Sequence, residues 1–557
     1  MTFRSLSAAA ALVVSLLFPY VLTAQSSNSD QDYDALVALY KEIRADGRPA
    51  VVDGVPDYRP AAISEREKKL PEFRHRLYAI DQTKWPVSRR VDWLVVQSAL
   101  NSLEFEFKIQ HPWRSDPGFY VDQVERVAYT EVPLTGEKLE EFKARLGTVP
   151  KLLAQAETNL TQGRREFAKL ALRDLNKADG VEENWPWRAV PPAGTRGWYQ
   201  DLVQRVEAQQ AELLPAAQKA RAAVDQFATW LQAHSDRMTA PVGVGEADFN
   251  WYMKYVRYLP YTLEDSVKIG ELEYNRSLAL LALQQHDDRK LPEIPLPVSK
   301  EEYDKRMKDG LEEVRDYLIK NDILTVPDYA MGPLHQEVPW SVRAGHDLNF
   351  WEAIQYRDPI PDILHATIPG HAFDIAIHRH DTRPIRGTFT DGARIEGWAV
   401  FLEEGMLQDG MLDDKPRTKE LIYIFMAARA VRNPAEAMLQ RNKWTIDQAV
   451  KYMVEKVPYM EPDVARVDCA IYLRRPTYGL GYQIGKIEML RLLGDREHQL
   501  GEKFDLKEFN DQLMAEGPLP MALVRWEMTG LDDQVKDVWK TPSIPSIAAR
   551  KGKAADN

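Results

Sequence analysis

Between residues 33 and 235 apolar side chains return every three or four positions, a period that only a helix turns to one face. The stretches "YDALVALYKEIRADG", "RVDWLVVQSALNSLEFEFKIQ", "KLEEFKARLGTVPKLLAQAETNL" and "WYQDLVQRVEAQQAELLPAAQKARAAVDQFATWLQAHS" all carry it, and strand-like alternation is scarce. A mainly α fold is therefore predicted. With 557 residues, 44% of them hydrophobic, the chain can bury a large core. Proline- and glycine-rich breaks fall at 183–197, 239–249 and 290–299. The middle one divides the chain into an N-terminal helical lobe, 25–240, and a second lobe, 241–540. Residues 541–557, "TPSIPSIAARKGKAADN", read as a disordered tail.

The net charge of −12 and the pI near 5.6 argue against nucleic acid, whose phosphates call for a basic surface. The start of the chain reads as an export signal: "MTFR" supplies a positive charge, an apolar run follows, and small Ala24 precedes Gln25. Residues 1–24 are thus expected to be removed, leaving an exported chain, periplasmic or extracellular, with no stable membrane insertion. Cys469 is the one cysteine. It sits in apolar "RVDCAIYL", so a buried, inert thiol is expected and no disulfide framework supports the fold.

Chemistry concentrates in three stretches of the second lobe. In "ILHATIPGHAFDIAIHRHD" (363–381), His365, His371, His378 and His380 are more than a third of the 11 histidines in the chain. On a helix opening at Pro369, His371, Asp374 and His378 share a face. Imidazoles converging with carboxylates suit a metal ion, and either His371 or His378 could be the second histidine ligand. In "DGARIEGWAVFLEEGML" (391–407), Glu396 and Glu403 are two helical turns apart amid apolar residues. Buried carboxylates need partners, which a metal, Arg394 or Arg429 could supply. In "YLRRPTYGLGYQIGKIEMLRLL" (472–493), Tyr478 and Tyr482 stand beside Arg474, Arg475 and several glycines, a set suited to an oxyanion or a substrate carboxylate.

Together, "HATIPGHAFD", "EGWAVFLEE" and "PTYGLGYQIG" resemble, in order and spacing, the motifs of the bacterial domain-of-unknown-function family 885, grouped with zincin-like metallopeptidases. "MAARAVRNPAEAMLQRNKWTIDQAV" (426–450) and "GEADFNWYMKYVRYLPYTLEDSVKIGELEYNR" (245–276) resemble further parts of it. The resemblance is close over about 240–530 and looser in the first lobe. It implies two helical lobes around a deep groove and a metal-dependent hydrolytic ancestry, with His365, His371 and Glu396 at metal positions. Glu403, Tyr482 and Gly485 match as well. The departures cluster at the same place. Ala366 replaces the glutamate after the first histidine, Ala372 the second histidine of the pair, and Asp374 a glutamine. Gln440 stands where histidine is frequent, and Tyr478 where the family has glutamine.

In zinc hydrolases of the His-Glu type that glutamate takes a proton from the metal-bound water and passes it to the leaving group. Alanine does neither. The expectation is an exported enzyme with one divalent ion, zinc, acting on amide or ester bonds of a small-molecule or peptide substrate with altered chemistry. Tyr482, Glu403 and Asp374 are its candidate catalytic groups, the last two as relocated bases. Arg394, Arg429, Arg475 and Tyr478 are the candidate substrate contacts. The alternatives are a metal-dependent lyase or isomerase, or a catalytically silent binding protein.

Overall fold

The computed structural model describes residues 18–177, 186, 188–330, 338–340 and 347–555. Residues 1–17, most of the expected export signal, and part of the 183–197 break therefore lie outside the described residues. Within them the chain is a stack of helices, and its one sheet is the two-stranded antiparallel ribbon Val51–Val52 with Val55–Pro56. The mainly α fold read from the sequence is the fold observed. No helix among the described residues is long and apolar enough to cross a membrane.

Twelve helices carry the account: α1 (Phe18–Asp46), α2 (Val87–Phe105), α3 (Gly136–Asn159), α4 (Gly194–Gln209), α5 (Leu214–His234), α6 (Leu263–Asp288), α7 (His371–His378), α8 (Gly392–Gln408), α9 (Pro416–Gln440), α10 (Tyr478–Leu500), α11 (Met521–Thr529) and α12 (Pro545–Ala555). Their ends follow local chemistry. Thr262 and Asp265 form a reciprocal cap on α6, the Asp391 side chain accepts from Arg394 N at 3.0 Å to start α8, and proline opens α9.

In the first half α5 packs on α3 and α4; in the second, α6 lies along α9 and α8 along α10. One continuous apolar core runs from Leu36 to Val538 through both halves. The α8–α10 contact is made at Gly397 and Gly485, where a Cβ on either residue would be driven into the backbone of the other helix. Glycine is thus needed there for approach rather than for flexibility.

The stretch 541–555 corrects the sequence reading. Instead of a disordered tail it is an ordered strap ending in α12. Trp251 Nε1 donates to Pro542 O at 2.9 Å, Ser546 N donates to Asp248 at 2.9 Å, and Ile544 is buried. Just before it, Trp539 packs on Trp93 and Val538 O accepts from Gln97 at 2.8 Å. Apolar side chains spaced too irregularly for a periodic signal nonetheless find pockets made by both halves, Ile544 among Phe105, Ile109 and Trp251.

A second stitch is made of charge. Arg386, almost wholly buried, donates to Asp92 of α2 at 2.7 Å, to Glu516 at 2.8 Å, and to Glu527 of α11 at 2.7 Å. Its Nη2 also reaches Ser88 O at 3.0 Å.

Candidate metal centre

His365 lies on a single π-type turn, Ile363–Thr367, closed by Ile368 N donating to Ile363 O at 3.0 Å. Such turns widen a helix by one residue and re-aim its side chains. Buried Ile363 and Leu364 pull the turn into the core, so His365 enters with them. The chain then breaks at Pro369–Gly370 and restarts as α7 at His371, two residues after the proline expected to open it. A side chain at Gly370 would collide with the His365 carbonyl, so this glycine lets the two histidines come together. Their rings sit 4.7 Å apart, nearly perpendicular. Trp398 of α8 fixes the break by donating to Pro369 O at 2.8 Å.

α8 supplies the carboxylates. Glu396 Oε2 lies 3.2 Å from His371 Nε2 and 3.7 Å from His365 Nε2. One donor atom from each of His365, His371 and Glu396 falls within 4.8 Å of the other two. Glu403 faces the other nitrogen of the same ring: its Oε1 is 2.7 Å from His365 Nδ1. Arg429 of α9 holds Glu403 at 3.2 Å. Two glutamates seven residues apart thus flank one imidazole. Of the three converging side chains His371 is the most exposed, at 18% against 8% for His365 and 9% for Glu396, so the cluster lies nearest to solvent at His371.

α10 adds a chain of hydroxyls. Tyr482 donates to Tyr478 at 2.9 Å, and Tyr478 donates to Glu396 Oε1 at 2.9 Å. The Arg432 guanidinium lies 4.2 Å over the Tyr482 ring and pairs with Asp468 at 3.0 Å. Buried Glu436 caps α10, accepting from Thr477 N at 2.6 Å and Leu480 N at 2.8 Å. Burial pushes its carboxyl up to about 8.

The charges respond to one another. Burial would raise the Glu396 carboxyl, but the imidazoles of His371 and His365 outweigh it and hold it well below the usual range. Burial likewise opposes ionisation of Glu403 and is overcome by Arg429 and His365. Burial and Arg429 press His365 down, while the nearby carboxylates of Glu396 and Glu403 prevail and raise it. Burial and the Glu396 charge push the Tyr478 and Tyr482 phenols up, so both stay protonated at neutral pH.

Several expectations change here. Asp374, named as a relocated base, is buried against Arg394, with both contacts at 3.3 Å, and is not one of the clustered donor residues among the described residues. Glu403, named as the other base, sits at His365 Nδ1 instead of among the three donor atoms. Arg394 and Arg429, named as substrate contacts, are buried and hold Asp374 and Glu403. Arg475 is exposed, its guanidinium 5.9 Å over the Tyr478 ring. His371 and not His378 joins His365. His378 lies a turn or more along α7, half-buried, with its imidazole lowered by burial. Gln440 uses its amide on Tyr472 O and Val244 N, away from the cluster. Cys469 is buried, and burial raises its thiol, which leaves it unreactive. Sequence reasoning passed over Arg432, Asp468 and Glu436. Arg432 was within reach, since it lies three residues from Arg429 on the same helix.

Fold and cluster together define a helical protein with a buried histidine–carboxylate centre. The sequence matches the bacterial protein family of unknown function DUF885 over residues 44–285 and 363–528, and the chain belongs to that family. The match takes in the first half as well as the motif-bearing second half. No curated protein matches the chain. Two solved structures share its fold. One, described as "a putative lipoprotein of unknown function" from Shewanella oneidensis, aligns with a TM-score of 0.65 at 16% identity, over 90% of this chain and 98% of its own. The other, "the putative lipoprotein from Colwellia psychrerythraea", aligns with a TM-score of 0.66 at 17% identity, over the same 90% and 98%.

Proposed function

We propose that this chain is an exported, metal-dependent hydrolase of amide or ester bonds that holds one divalent ion through His365, His371 and Glu396. A single observation carries the reading. Three metal-competent donor atoms lie within 4.8 Å of one another, and the central one, buried Glu396 Oε2, accepts no well-directed hydrogen bond, although the His371 and His365 nitrogens stand 3.2 and 3.7 Å away. A buried carboxylate oxygen left without a donor is costly unless something else satisfies it. The donor set fits zinc: two imidazole nitrogens and one carboxylate oxygen are a three-ligand set that leaves a position for water or substrate. Bound there, zinc would polarise a carbonyl and lower the pKa of its water.

The chain's own residues shape the rest. Tyr478 holds the second oxygen of Glu396 and, being protonated, can donate a proton but not take one. Ala366 carries nothing that could relay a proton. Zincin-like ancestry, which the motif resemblance implies, favours hydrolysis over lyase or isomerase chemistry. The charged, apolar start of the chain supports export, as does the lipoprotein description of both solved relatives.

A second reading has its own support: a catalytically silent binding protein. Both carboxylates that could replace the missing glutamate are committed to arginines, Asp374 to Arg394 and Glu403 to Arg429.

Metal analysis of purified, chelator-treated and zinc-reconstituted protein, with a screen of amide and ester substrates, tests the proposal. About one zinc per chain is expected. Glu396→Ala should lose it while keeping the helical circular-dichroism spectrum. Full occupancy in Glu396→Ala would remove this carboxylate from the ligand set. Protein that takes up no metal under any condition would put the silent reading first.

A further inference from the structure

We infer that Glu403 is the positioning residue of this centre: it holds the proton of His365 on Nδ1 and so presents the Nε2 lone pair to a metal. The inference rests on the metal-binding reading for its purpose, but its geometry stands independently.

A neutral imidazole carries its proton on one nitrogen, and the neighbours decide which. At Nε2 the nearest carboxylate oxygen, on Glu396, is 3.7 Å away, beyond hydrogen-bond reach. At Nδ1 Glu403 Oε1 is 2.7 Å away, a short charge-assisted contact. Glu403 is wholly buried, and Arg429 Nη2 pairs with the same oxygen at 3.2 Å. An ionised carboxylate only accepts and a guanidinium only donates. Arg429 Nη2 also approaches Nδ1, at 3.5 Å, where it would donate a hydrogen bond to a bare nitrogen. The shorter contact to Glu403 decides the matter in favour of Nδ1–H. Arg429 then serves to keep Glu403 charged and in place.

Helix geometry makes the arrangement inexpensive in parts. Residues 396 and 403 are two turns apart on α8, so one rigid element supplies both the group beside Nε2 and the group on Nδ1. The remaining member shows the contrast: His371 Nδ1 is buried with no hydrogen-bond partner, so its ring has no comparable fixing. Metal-binding histidines ordinarily donate their second nitrogen to a carboxylate or carbonyl, and loss of that partner weakens the metal by about 10–100-fold. Here His365 has such a partner and is the better-oriented ligand of the two.

Two measurements test this. In mildly alkaline, metal-free protein with labelled histidine, long-range proton–nitrogen spectra report the tautomer of His365, which is expected to be Nδ1–H. A dominant Nε2–H form in the native protein overturns the inference whether or not any metal binds. Glu403→Gln keeps the shape of the side chain but removes its charge. Zinc affinity, read by competition with a chelator, should fall about 10–100-fold, and the Nδ1–H form should give way to a mixture, with helical content unchanged. Affinity within about threefold of native, with the tautomer unmoved, overturns it as well. Native protein that binds no zinc would defeat the metal reading alone, since the tautomer spectra still decide the role of Glu403. If Glu403→Gln fails to fold, the native spectra still decide it.

Discussion

Two buried clusters of charge, one around Arg386 and one around His365, both join carboxylates to arginine and tyrosine, yet they end in opposite states. Around Arg386 every guanidinium nitrogen is matched: Nε to Asp92, Nη1 to Glu516, Nη2 to Glu527 and Ser88 O. Tyr33 also donates to Asp92 at 2.6 Å. Around His365 the pairing is incomplete. Glu396 Oε2, Glu403 Oε2, His371 Nδ1 and Arg429 Nε are all buried with no hydrogen-bond partner. Native interiors rarely leave such groups in one place. A finished network spanning α2, α11 and the 386 turn is what holding the halves together requires. An unfinished one leaves polar atoms for a ligand to satisfy, which is the basis of the metal proposal. Charge and burial alone would not have separated the two; the bookkeeping of donors and acceptors does.

The sharpest way to break this contrast is at Arg386. Arg386→Met should cost about 3–5 kcal/mol in urea unfolding, because it strands buried Asp92 and half-buried Glu516 and Glu527 around an apolar side chain. The zinc bound per folded chain should not change. A loss under about 1 kcal/mol would mean that the cluster is not structural.

A smaller effect is expected with pH. Burial and the neighbouring Glu527 push Glu516 up to about 7, against the pull of Arg386 and Arg383. Its proton is therefore held more tightly in the folded chain than in the unfolded one. The stability it contributes is fully present below the ordinary carboxylate range and is lost as pH rises toward the raised value. Glu516→Gln should remove that slope. Relative to the native protein it should gain on the order of 2 kcal/mol between mildly acidic and neutral pH, read from urea midpoints across the range. Parallel pH profiles for the two proteins would count against the raised carboxyl.

The smallest change belongs to the histidine cluster. Tyr482→Phe removes a hydroxyl whose one described bond goes to Tyr478, so stability should fall by only about 1 kcal/mol, with zinc stoichiometry intact. Loss of metal instead would make the hydroxyl chain part of the centre, and the line between the two clusters would have to be redrawn.

Much of this was legible in the sequence, for reasons that can be named. Helical period fixed the fold class, since a recurrence of three and four is a property of the chain itself. Residue chemistry pointed to the histidine cluster but left His371 and His378 open; the motif resemblance implied His365, His371 and Glu396, and the fold brings these three together. What escaped depended on partners. The seven-residue step between Glu396 and Glu403 said that they share a face, yet not that His365 would stand between their carboxylates. Asp374 looked available as a base until Arg394 was found packed on it. The π-type turn at Ile363–Thr367 leaves no periodic trace, and the strap at 541–555, like Trp539 just before it, is held by single contacts to distant residues.

The contact of Gly397 with Gly485 divides the centre into what can vary and what cannot. It sets the separation of the helix carrying Glu396 and Glu403 from the helix carrying Tyr478 and Tyr482. Even a methyl group there would force the two apart and lengthen the 2.9 Å contact between Tyr478 and Glu396. Side chains pointing into the centre are under no such limit. The frame works as a fixed gauge on which different reactive groups can be mounted, so new chemistry could arise here by exchanging side chains without rebuilding the fold.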